Sequence, residues 1–193
     1  MTHRRLYMQT YAIEIEGVAP GMLMHRFPEA TMAGLMNPVK ITGKVKQTAE
    51  EEAEAGAYRL ETGQLCIPSH NLFEAMCSAA SQHQIQGRGK ATYKEVFKGA
   101  MLIEPAYLVL TGKGGASLTE YEIDARPARI QRARIMRHRP CLRFWRAQAT
   151  LTVLHDEMIP KEVVQAVLVT AGQMKGIGDY RPVFGRFIVT KFG

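Results

Sequence analysis

The chain has 193 residues, 46% of them hydrophobic and 22% charged, which excludes a disordered chain and a large multi-domain machine and fits one ordinary globular domain. Its net charge of +7 is unevenly placed: residues 125–155 hold eight arginines, no lysine and no acid, and the rest of the chain is close to neutral. Three cysteines without a CxxC pair exclude a disulfide framework and a cysteine-rich zinc site. No run approaches the ~20 apolar residues of a membrane span, and the first residues lack an apolar signal region, so a soluble protein of the reducing cytosol is expected.

Residues 6–16 alternate, with Tyr11, Ile13 and Ile15 on one face and Glu14 and Glu16 on the other, and predict a strand broken at Gly17–Pro20. Residues 21–65 hold no long period. They carry Met22, Met24, Met32 and Met36, then Lys40, Lys44 and Lys46, then an acidic run that suits a short helix from Thr48 to about Tyr58. A stretch this long reads as an insertion with local structure. Ser69 is the expected N-cap of a helix whose apolar face is Leu72, Phe73, Met76, Ala79 and Ala80.

Residues 100–110 predict one strand or two around Pro105, and 112–115 a turn. Residues 128–138 look extended, and Pro140 is expected to separate them from a strand at 142–154, where Trp145 falls on the buried side. Pro160 suits the first turn of a second helix, with Val163, Val167, Thr170, Ala171 and Met174 as its buried stripe. Residues 184–192 close the chain as a strand. The order strand, helix, strand, strand, helix, strand predicts an α+β fold with a ferredoxin-like, RRM-like βαββαβ core and an antiparallel sheet, decorated by insertions at about 20–65 and 112–140. The whole chain, 1–193, is expected to form a single domain.

The arginine run comprises Arg126, Arg129, Arg132, Arg134, Arg137, Arg139, Arg143 and Arg146. Arginine suits bidentate phosphate contact and stacking on bases better than lysine does. Left without counterions, these side chains would await an external polyanion. The competing reading pairs them with Glu50, Glu51, Glu52, Glu54 and Glu61. A second signal is the stretch 172–187, where four glycines admit unusual backbone geometry and Lys175, Tyr180, Arg181 and Arg186 supply charge and a stacking ring. It lacks the spacing of a nucleotide P-loop.

Residues 67–75, Ile-Pro-Ser-His-Asn-Leu-Phe-Glu-Ala, resemble the opening of the first helix in the CRISPR-associated RAMP superfamily. The late Gly-Ile-Gly-Asp-Tyr-Arg-Pro-Val-Phe-Gly-Arg-Phe stretch is similar to that superfamily's glycine-rich loop and final strand. The signature also resembles a group of uncharacterised proteins from phages and mobile elements. The resemblance implies an RRM-like core, a thumb-like insertion at about 20–65, and a backbone subunit that lines up in copies, or with other subunits, along a strand. It also implies RNA or single-stranded DNA as partner. The eight arginines, Lys175, Tyr180, Arg181 and Arg186, with Lys40, Lys44 and Lys46, are the candidate nucleic-acid contacts.

None of the six histidines stands in a metal-binding spacing, no motif calls for a cofactor, and no catalytic residue is assigned. Because some RAMP relatives are ribonucleases that use a histidine, His25 is the position to test for a metal-independent endoribonuclease. A phage structural or inhibitory protein that binds another protein is the remaining alternative.

Overall fold

A computed structural model describes residues 8–26, 47–130, 133–154 and 158–193. It is an α+β structure with two antiparallel sheets and, among the described residues, four α-helices. Strand β1 (Met8–Gly17) buries Tyr11, Ile13 and Ile15 and turns Glu14 and Glu16 to the opposite face, as its alternation predicts. It runs between β8 (Arg146–Leu154) and β9 (Phe187–Phe192), antiparallel to both. The far edge of β8 takes β4 (Met101–Glu104) along one half and β5 (Tyr107–Thr111) at the other, and β5 in turn pairs β3 (Cys66–Pro68).

The helices α2 (Ser69–Ala80), α3 (Lys94–Ala100) and α4 (Lys161–Thr170) supply Leu72, Met76, Phe97, Val164, Val167 and Leu168 to the same core as the apolar face of β1 and β8. Trp145 lies fully inside that core. Burying such side chains contributes roughly 1.5–3 kcal/mol apiece. A second sheet of β2 (Met22–Leu23), β7 (Ala133–Leu142) and β6 (Glu122–Ile130) stands apart in pairing, and α1 (Ala49–Gly56) packs against β7. Thr48 caps α1 in a reciprocal capping box with Glu51, which fixes where the acidic run begins to coil.

Several expectations are corrected. Ser69 is not the cap of α2: Pro68 holds that place, and the Ser69 N–H donates 2.9 Å to Ala106 O, tying the helix start to the β4–β5 junction. Pro140 does not end a strand. It sits inside β7, where its carbonyl accepts from Met24 N–H at 2.9 Å, a position that asks only for an acceptor. Met22 and Met24, in the stretch expected to be an insertion, are buried core residues; Met32 and Met36 lie outside the described residues.

Met174 leaves the buried stripe of the second helix and is 53% exposed. A π-helical turn over Ala171–Lys175, closed by Gly176 N–H donating to Ala171 O, adds a residue to the turn and rotates the stripe away from the core. The short α3 has no counterpart in the sequence reading, because seven residues are too few to establish a 3.6-residue period. Among the described residues no helix is long and apolar enough to cross a membrane.

Candidate nucleic-acid interface

Strands β6 and β7 form a two-stranded hairpin in which Asp124 faces Arg139, Arg126 faces Arg137 and Arg129 faces Arg134. Like charges opposite one another repel, so each guanidinium needs a counterion. The described residues supply one to five of the six arginines of the run whose side chains are described. Arg126 Nε donates to Asp124 at 2.6 Å, Arg143 Nε to Glu122 at 2.9 Å, Arg139 Nε to Asp179 at 2.6 Å, and Arg146 pairs with Glu16 at 2.6 Å. Arg137 pairs with Glu52 at 3.1 Å. The expectation of an uncompensated arginine cluster is therefore corrected, and the competing pairing with the acidic segment holds for Glu52 alone. Arg134 is exposed and has no carboxylate partner among the described residues.

Glu52 marks the docking point of α1. Its carboxylate accepts from Arg137, from the His138 backbone N–H at 3.1 Å and from the His138 ring at 2.8 Å. Burial works against the ionised form, but these bonds outweigh it and the Glu52 pKa falls below its ordinary value. Two residues on, Glu54 takes Arg59 and Tyr121, and the Arg59 bond leads in lowering its pKa as well. Burial, reinforced by Glu54, pushes the Tyr121 hydroxyl up to about 12.

His25 lies half-buried just beyond β2, in the field of Asp179, Glu52, Arg137 and Arg139. Burial leads in depressing its pKa below the ordinary 6.5, Arg137 and Arg139 act in the same direction, and Asp179 and Glu52 oppose them. The His25 proton is therefore taken up more readily by the unfolded chain. The stability this contributes is complete above pH 6.5 and declines as pH falls through the lower folded value. Glu52 and Glu54, also depressed, contribute stability above their ordinary 4.5 and lose it in more acid solution. Thermal melts between pH 7 and pH 5 are expected to slope downward, and His25→Gln is expected to flatten that slope while leaving the fall below pH 4.5 intact. An unchanged slope in the variant removes His25 from this role.

The glycine-rich loop docks onto the hairpin base. Asp179 N–H donates to Leu23 O at 2.8 Å, Ile177 N–H to Gly185 O at 2.9 Å, and Gly185 N–H to Gly21 O at 2.8 Å. Arg126 lies over the Phe184 ring at 4.7 Å and the Tyr180 ring at 5.8 Å, bringing the arginine hairpin and the loop into one surface. Beside them opens a cavity of about 590 Å³ whose lining includes Ser78, Lys175, Asp179, Tyr180 and Arg181. Lys175 and Arg181 have no carboxylate partner among the described residues; the Asp179 carboxylate is held by Arg139 and by Tyr180 N–H. The ion pair of Asp179 therefore goes to Arg139 and not to the neighbouring Arg181.

Other candidates fall elsewhere. Arg186 is exposed just before β9. Lys40, Lys44, Lys46 and Arg132, and the side chain of Arg129, lie outside the described residues. The face of the main sheet turned away from the helices has a cavity of about 580 Å³, but Glu14 bonds Gln148 there and Glu16 holds Arg146. It offers no base platform from Tyr11 or Trp145, both buried; Tyr7 lies outside the described residues. Phe184, the platform of Arg126, escaped the sequence reading because a buried phenylalanine near a strand looks like ordinary core. Among the described residues no three His, Cys, Asp or Glu side chains converge as a metal site. The chain matches no protein-family model and no curated protein.

Proposed function

We propose that this protein binds single-stranded RNA or DNA without cutting it, as a RAMP-like subunit with a ferredoxin-like core. The strand order β9–β1–β8–β4, antiparallel throughout, supports the fold reading. So does the placing in sequence of α2 and α3 between β1 and β4, and of α4 between β8 and β9. The observation that carries the functional reading is the cavity beside the glycine-rich loop, where Lys175 and Arg181, without carboxylate partners among the described residues, share the lining with Tyr180. Phosphates would be held there and at Arg134 and Arg186. The carboxylate-paired arginines would form the rigid base of the surface rather than its phosphate contacts.

This division of labour has a quantitative consequence. Single-strand binding loses about 0.7 in log affinity per log salt for each phosphate neutralised. Contacts from Lys175, Arg181, Arg134 and Arg186 give a slope of about −2 to −3, against about −5 or steeper if all eight arginines of the run met phosphates. Anisotropy titrations of a labelled RNA 12-mer over a salt series are expected to return the shallower slope. Absence of binding at low salt, or a flat response, ends the proposal. A steep slope would mean the ion pairs open on binding.

A further inference from the structure

We propose that the cavity beside the glycine-rich loop is a stacking subsite for one unpaired nucleobase, with the Tyr180 ring as its platform. This deepens the reading just given and rests on it. Tyr180 is the one residue other than glycine with positive φ (57°) among the described residues. A side chain held there strains the backbone, and asparagine or glycine would be the usual occupant. The strained geometry is fixed from below: Asp179 Oδ1 accepts from Tyr180 N–H at 2.8 Å, and Asp179 itself is bridged to Leu23 and locked by Arg139.

The ring gains little packing in return. The residue is 46% exposed, and its ring meets Phe184 edge-on, with centroids 6.1 Å apart and planes at 78°. Arg126 lies closer to Phe184 than to Tyr180, so the cation is committed to the inner ring. Strain maintained without burial is the signature of a residue held in place for a partner. Met174 and Val183, 53% and 56% exposed, add apolar surface near the same loop. Lys175 and Arg181 share the cavity with the ring. Met174, an exposed aromatic and two cations line a mostly polar space of about 590 Å³ in which the one carboxylate, Asp179, is already held by Arg139; this matches one nucleotide unit, its base on the ring and its flanking phosphates on the cations.

The test compares a uridine 12-mer with an abasic strand of equal length, by anisotropy at low salt, on wild type, Tyr180→Phe and Tyr180→Asn. Asparagine tolerates the left-handed backbone and so keeps the loop while removing the platform. Tyr180→Phe is expected to bind within about twofold of wild type. Tyr180→Asn is expected to bind the uridine strand about tenfold more weakly, and no better than wild type binds the abasic strand. Equal affinity of wild type for the two strands, or full affinity in Tyr180→Asn, overturns the stacking subsite. Lys175→Ala with Arg181→Ala separates the two levels, since it weakens both strands alike. If wild type binds neither strand, the nucleic-acid reading itself falls and the subsite with it.

Discussion

Gly185→Ala is expected to destabilise the protein by about 3 kcal/mol or more and to abolish the strand binding assigned to the glycine-rich loop. Two independent effects act at this position. Its φ of +80° lies in the region that alanine adopts only under strain. An added Cβ would also stand 1.7 Å from Ile177 O, so the backbone of one side of the loop would have to leave the other. That contact cannot relax by moving a side chain, because both Ile177 N–H to Gly185 O and Gly185 N–H to Gly21 O are bonds of the docked loop. Gly87 provides the control. It has a similar φ of +75° but nothing within 4 Å of an added Cβ, so Gly87→Ala is expected to show the backbone penalty alone, about 1 kcal/mol. Urea titrations of the two variants measure the difference. Equal losses would mean that the close approach at Gly185 is unimportant.

Periodicity carried the parts of the fold in which one face is buried. Tyr11, Ile13 and Ile15 in β1, and Ala147, Leu151 and Val153 in β8, alternate because each strand has helices on one side only. Leu72, Met76 and Ala80 recur at helical spacing for the same reason. The reading failed where the chain departs from a regular period. The π-helical turn at Ala171–Lys175 is invisible in a pattern that assumes 3.6 residues per turn, which puts Met174 inside where the structure exposes it. Pro140 looks like a break because its missing N–H is visible in sequence and the acceptor role of its carbonyl is not.

The electrostatic error has a sharper cause. Counting charge from residue 125 onward cut Glu122 and Asp124 away from the strand they share with Arg126, and both acids turn out to hold arginines of the run. The remaining partners come from distant elements: Glu16 on β1, Glu52 on α1 and Asp179 in the glycine-rich loop. A linear tally cannot find them, because the antiparallel hairpin and the docking of α1 and the loop bring them together only in three dimensions. What composition did locate was the surface itself: the two segments singled out for charge and glycine content meet at Arg126, Phe184 and Tyr180.

The ion pair joining those segments is the other place where a single change has a large expected effect. Arg139 is nearly buried, its side chain 11% exposed, and its Nη1 has no partner among the described residues beyond the Nε–Asp179 bond. Asp179→Asn removes the counter-charge and keeps a carbonyl oxygen able to accept Tyr180 N–H. It leaves the guanidinium uncompensated, and a loss of about 2–3 kcal/mol is expected, discounted from a fully buried pair because Asp179 itself is one-third exposed. Arg139→Met leaves only a partly hydrated carboxylate behind and is expected to lose about 1 kcal/mol. The double variant should then resemble Arg139→Met alone, giving a coupling of about 2–3 kcal/mol between the two sites. With Asp179 neutralised, an added anion is expected to replace the missing counter-charge at Arg139. Phosphate is therefore expected to raise the melting temperature of Asp179→Asn more than that of wild type, and to leave the double variant no more responsive than wild type. If phosphate raises all three equally, Arg139 does not face an accessible anion site and the hairpin base is structural only.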